Sequence, residues 1–354
     1  MDNSKLIKIE KSIQNLKSKN SRIYFFVQDT KGNPKASVRY IYQMAYTLKN
    51  HGYNPIILHE KDDYVGVGEW LGEEYMTLPH KPIEKQNLEI SPEDFLIIPE
   101  IFGFIMEQVK DLPCAKIVLC QAYDHIFETL QPGFGWTNYG FLKCITTSEI
   151  QKEYISSVMR NVSIDIIEPY ISDIFSKTKL TQKPIVGVHS REQRKTLNFI
   201  KSFYLKYPQY RWITFRDLRG LSEVEFAETL KECFLTVWID ETSGYGTFPL
   251  ESMKSGVPCL SKVPVLQPKW INENNGIWID NELKLTEFTA DYIQNWLEDN
   301  ISPSIYDEMD KTIQGLPTKE IFENNTITIF NEYFDIRTTT FEEQLNRLKP
   351  QETE

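Results

Sequence analysis

Short apolar runs, most of them aromatic or β-branched, recur along this chain with room for one helix between many of them. RIYFFVQ at 22–28, PIILHE at 55–60, DFLIIPE at 94–100, AKIVLCQ at 115–121 and FLKCITTSE at 141–149 are bordered by turn or helix-start residues, and each predicts a strand. After the first of them Ile41, Met44, Ala45 and Leu48 fall at helical spacing, and Gly52 ends that helix. Past a polar stretch the rhythm restarts: PIVGVHS at 184–190, a helical segment from Lys195, RWITF at 211–215, a helix around SEVEFAETLKEC, then FLTVWID at 234–240 and GVPCLS at 256–261. Near-continuous apolar strands alternating with helices predict parallel sheets covered on both faces, an α/β architecture.

At 354 residues the chain exceeds one ordinary core, and the polar segment Ser172 to Lys183 is the expected boundary. The expected organisation is an N-terminal extension over 1–21, a first α/β domain over 22–175 and a second over 176–325. Residues 326–354 then form a C-terminal helix packing back toward the first domain, with a loose tail. The lysine-rich start, with Leu6, Ile9 and Ile13 in loose helical spacing, lacks the apolar stretch of a signal peptide. No segment offers about 18 consecutive apolar residues for a membrane span. The expectation is a cytoplasmic protein with no transmembrane segment, peripheral membrane contact being left open. A net charge of -11 and a pI near 5.2 disfavour long-range capture of nucleic acid or anionic membrane. The five cysteines, odd in number and without CxxC spacing, read as reduced core residues, and no metal-ligand cluster is visible.

The chemistry concentrates in ETSGYGTFPLESMKSGVPCL, Glu241 to Leu260. The strand before it delivers a hydroxyl- and glycine-rich loop to the amino end of a helix that has proline in its first turn and Gly256 as its stop. Gly244 and Gly246 permit close backbone approach. The unpaired amides and the helix dipole favour an anion such as a diphosphate beside Ser243, Gly244, Tyr245, Gly246 and Thr247. Glu251, one turn inside the helix, offers a carboxylate to a vicinal diol such as a ribose. The competing reading is purely structural: Ser243 caps the helix and Glu251 completes a capping arrangement.

This stretch resembles the signature of family 4 and related retaining glycosyltransferases of the GT-B fold: Glu-Gly-Phe-Gly, then Leu-Glu-Ala-Met and small-Gly-x-Pro. SGYG and LESMKSGVP fill those places, and KASVRYIYQMAYTLKNHGYNPIIL and ITTSEIQKEYI resemble the family's segments in the first domain. The resemblance implies a GT-B fold, two Rossmann-like domains with parallel sheets facing across a cleft. It departs at one place, where the family's first glutamate falls on Ser243. By the same resemblance Arg191 and Lys195 in VGVHSREQRK are expected on the donor diphosphate, with Arg194 competing for either role. Gly32 belongs to a glycine loop near the donor phosphate or acceptor, and His125, four residues beyond the family's position at Gln121, to sugar contact. Glu100, Arg216 and Arg219 are weaker candidates.

The implied function is transfer of a sugar from a nucleotide diphosphate sugar to a glycan or lipid-linked acceptor, with retention and with no cofactor or metal required. The alternative acceptor is a modified base in DNA. The alternative of another class, motivated by Ser243, is a catalytically silent nucleotide- or glycan-binding scaffold.

Overall fold

The computed structural model describes residues 3–84, 88–177, 183–241 and 244–349. The chain forms two compact units, Met1–Ile167 with Glu320–Glu354, and Glu168–Lys319. In the first, α1 (Asn3–Lys17) precedes β1 (Arg22–Phe26), α2 (Ala36–Asn50), β2 (Asn54–His59), β3 (His80–Pro82), β4 (Phe95–Pro99) and α3 (Gly103–Gln108). β5 (Ala115–Cys120), β6 (Lys143–Thr146), α4 (Glu149–Val158) and β7 (Ser163–Ile166) follow. The second carries β8 (Ile185–His189), α5 (Gln193–Lys206), β9 (Thr214–Asp217), α6 (Glu223–Glu232), β10 (Leu235–Trp238), α7 (Thr247–Lys254), β11 (Cys259–Lys262), β12 (Ile277–Ile279), α8 (Leu285–Leu297) and α9 (Ser304–Gln314). The long α10 (Lys319–Leu348) then returns to the first unit.

Both sheets are parallel. The first runs β3-β2-β1-β4-β5-β6-β7 and the second β12-β11-β10-β8-β9. Strand order reverses direction between β1 and β4 in one and between β8 and β10 in the other. In an open α/β sheet these are the switch points at whose carboxyl side the connecting loops part and leave a crevice.

Alternation along the strands assigns each face its cover. In the second unit Leu235 and Val237 join Val186, Val188 and Phe203 in a cluster that Ile293 of α8 completes. Trp238, on the opposite face, packs edge-on against Phe248 of α7 with ring centroids 4.1 Å apart. In the first unit Tyr24, Phe26, Leu96 and Ile98 cluster with Val118, Trp136 and Phe141. Phe25 and Phe95 instead meet α10, where Phe334 stacks on Phe95 at 4.9 Å and Tyr333 donates to Asp165 at 2.6 Å. All five cysteines are buried and free of disulfides. Among the described residues no helix is long and apolar enough to cross a membrane.

The predicted run RWITF differs from the observed strand, which begins three residues later at Thr214. A helical turn over Pro208–Tyr210 and the bond from the Ile213 amide to the Tyr210 carbonyl (3.0 Å) occupy the intervening chain.

Candidate functional site

The loop that follows β10 begins at the switch point of the second sheet. Trp238 pairs in register with His189 of β8, so the residues after both strands emerge side by side at the carboxyl edge. Asp240 is the hub of that edge. Its carboxylate accepts the backbone N–H of Arg191 at 2.5 Å and the Lys195 ammonium at 2.8 Å. The Ser190 hydroxyl is a third partner. Burial alone would raise this carboxyl; the bonds from Lys195, Arg191 and Ser190 outweigh it and hold the group below the usual carboxylate range. The same bond to Asp240 raises the lysine, so its ammonium stays charged.

Lys195 therefore stands at the switch point, in the first turn of α5. Arg194 is 83% exposed, with Glu192 at 3.8 Å. His189 adds no cation: burial pushes its ring down to about 4, and it lies stacked on Trp238 with centroids 4.8 Å apart. Arg219 is engaged by Asp217, and Glu241 by Lys262 at 2.9 Å and by the Val265 amide, so the Glu241 carboxylate is committed to the loop's own fold.

The helix after the loop begins as the sequence implies. Gly246 occupies the cap position with φ +81, a left-handed conformation that glycine adopts without strain, and it has no side chain to bond the first-turn amides. The cap residue is thus a glycine; Ser243, on which the structural capping reading rests, lies outside the described residues. Gly244, Tyr245 and Thr247 flank the turn, and the Tyr245 carbonyl accepts the Trp270 indole N–H at 2.7 Å, which fixes the loop's exit. Gly256, with φ +79, ends α7 by the bonds Gly256 N–H to Met253 and Val257 N–H to Ser252.

Glu251 is buried one turn inside α7, at 4% exposure. The helix that carries it is locked to β10, because the Ser252 and Thr236 hydroxyls meet at 2.7 Å and Ser252 donates to the Val257 carbonyl at 2.8 Å. These groups are fully buried, and leaving either unsatisfied costs about 1–3 kcal/mol.

In the first unit Gly32 turns with φ +77 in the loop after β1, beside Lys31, which is paired with Asp29 at 2.6 Å. That loop and Glu100 both lie at the switch between β1 and β4. Gln121 donates to the Ser37 carbonyl at 3.1 Å, and His125 pairs with Glu128 at 2.8 Å. Glu100 is buried and accepts the Ala122 amide at 2.9 Å. Burial pushes its carboxyl up to about 7 against the backbone bonds that favour its charge.

A raised carboxyl contributes stability that is full below its unfolded value, near 4.5, and lost as pH climbs through 7. Glu100→Gln is therefore expected to leave the free energy of urea unfolding nearly unchanged at pH 4 and to raise it at pH 8, by on the order of 3 kcal/mol. A difference independent of pH would refute the assignment.

Among solved structures the chain is similar to sucrose-phosphate synthase from Thermosynechococcus elongatus, at 12% identity over 89% of this chain and 100% of that one, with a TM-score of 0.66. It is also similar to HepE from Anabaena in complex with UDP-glucose (12%, 87% and 99%, TM-score 0.64). A glycosyltransferase from Rickettsia africae is a third (14%, 88% and 98%, TM-score 0.57). These likenesses show the fold: the chain is an α/β protein of the GT-B type, with two Rossmann-like units. No family model and no curated protein matches the sequence.

Proposed function

We propose that the protein is a nucleotide-sugar glycosyltransferase of the family 4 kind, and that its second unit binds the donor. The observation that supports this reading is that the turn bearing Arg191 and Lys195 and the loop leading to the side-chain-free cap of α7 leave the adjacent strands β8 and β10 at one switch point, with Glu251 buried one turn into α7. Lys195, the Arg191 side chain and the α7 amides receive a diphosphate, and Glu251 receives ribose hydroxyls. UDP is the nucleotide of choice because HepE, of the same fold, is seen with UDP-glucose.

In the reaction the bond between the sugar's anomeric carbon and the diphosphate oxygen breaks, and the electron pair leaves with the diphosphate. Fixed cations and amides stabilise that charge where it develops, without reorganising. The acceptor hydroxyl attacks from the face the diphosphate vacates, so configuration is retained, and the diphosphate takes up its proton. His125 and the Gly32 turn are candidates for sugar and phosphate contact by the family resemblance alone. The acceptor is a glycan or lipid-linked sugar. No metal is needed where lysine, arginine and a helix terminus supply the positive field.

The test is a panel of nucleotide sugars incubated with the purified protein, with release of nucleoside diphosphate as the readout. Slow hydrolysis of a UDP-sugar is expected. Tight binding without turnover, even with acceptors present, would favour the silent scaffold that Ser243 suggests, and absence of binding would overturn the donor-site reading.

A further inference from the structure

We propose that Asp240 is a positioning residue for the donor diphosphate: from behind, its carboxylate holds the Lys195 ammonium and the 190–192 turn in the arrangement that receives the phosphates. The inference rests on the donor-site reading above.

The layering of the pair supports it. The Asp240 side chain is 9% exposed and that of Lys195 is 40% exposed, so the carboxylate lies inside and the ammonium outside. An arriving anion meets the lysine before it meets Asp240, with the half-exposed Glu192 carboxylate 3.8 Å from the same ammonium. An ammonium has three N–H donors; Asp240 takes one at 2.8 Å, and those remaining can turn to an incoming ligand.

The second oxygen of Asp240 accepts the Arg191 amide, which fixes the backbone that bears the second expected cation. Ser190 is wholly buried, and its hydroxyl accepts the Glu192 amide at 3.1 Å, so one carboxylate and one hydroxyl define the whole turn between β8 and α5. Without Asp240 the four-bond lysine side chain would have to be ordered by the ligand itself, which weakens binding and loosens the geometry at the breaking bond.

The experiment is titration calorimetry of UDP and of uridine against wild type, Asp240→Asn, Lys195→Ala and the double variant. Asp240→Asn is expected to weaken UDP roughly tenfold while leaving uridine unchanged, and to add nothing once Lys195 is alanine. Equal weakening of UDP and uridine would reduce Asp240 to a structural role. Unchanged UDP affinity would also overturn the inference, as would tighter binding, which would make the carboxylate a competitor of the phosphates. If Asp240→Asn does not fold, Asp240→Ser, which keeps an acceptor for the Arg191 amide, is read in the same way. Wild type that binds neither ligand would sink the donor-site reading and this inference with it. Wild type that binds UDP, with Asp240→Asn indistinguishable from it, would sink the inference alone.

Discussion

Lys195→Ala is expected to lower turnover of the nucleotide sugar about 10²- to 10³-fold, the loss typical when one fixed donor facing a developing anion is removed. The ground-state donor already carries charge on its phosphates, so part of the loss enters KM. The bridging oxygen becomes an anion only as the sugar bond breaks, and that part enters kcat. Because Asp240 holds the ammonium above the ordinary lysine range, the cation is present throughout neutral and mildly alkaline pH, and no loss of rate from its deprotonation is expected below pH 9. Arg191→Ala should cost a similar factor. The double variant should fall short of the product of the two, since both groups act on one leaving group. Arg194→Ala is the control, because that side chain is 83% exposed and pairs loosely with Glu192. Nucleoside diphosphate release reports all four rates, and full activity in a folded Lys195→Ala protein would remove the lysine from the site.

The choice between Arg194 and Lys195 shows where sequence reasoning stops. Both lie in VGVHSREQRK at helix-start spacing, and nothing in the run separates them. What separates them is Asp240, forty-five residues beyond Lys195, brought alongside by the pairing of Trp238 with His189. Asp240 was in plain view at the end of FLTVWID, but its role is a tertiary fact and leaves no periodic signal.

The main strands were legible because RIYFFVQ, DFLIIPE and AKIVLCQ are long enough to stand out as buried runs. β3, β7 and β12 were not, since HKP, SIDI and IWI are three or four residues long and owe their conformation to the neighbour they extend. The amino-terminal extension read only as a lysine-rich segment with loose helical spacing, and three of its apolar residues anchor it as α1. Ile9, Ile13 and Leu16 are buried, and Ser12 and Asn15 both donate to Glu93. The glycine-rich turn before α7 was the most legible part of the site, because a left-handed cap, a first-turn proline and a glycine stop are local requirements written in residue types.

Glu251 carries the second large expectation: Glu251→Ala should weaken UDP by about 3 kcal/mol, roughly 100-fold, as two hydroxyl donors lose one charged acceptor. A carboxylate is an acceptor only, so its natural partners are adjacent donors, and a ribose supplies two at the right separation. The helix cannot carry the group away. Ser252 ties α7 to β10, and Lys254 ties its other end to the Ile171 carbonyl and to Asp173, each at 2.7 Å. Packing of α7 is the competing role for a buried carboxylate, and the ligand separates the two cases. UDP lacking its ribose hydroxyls should bind wild type weakly and be indifferent to Glu251→Ala, whereas Glu251→Gln, which keeps one carbonyl acceptor, should fall between wild type and alanine with UDP. Equal loss for both nucleotides would assign Glu251 to the packing of α7, and unchanged affinity for both would end the ribose role altogether.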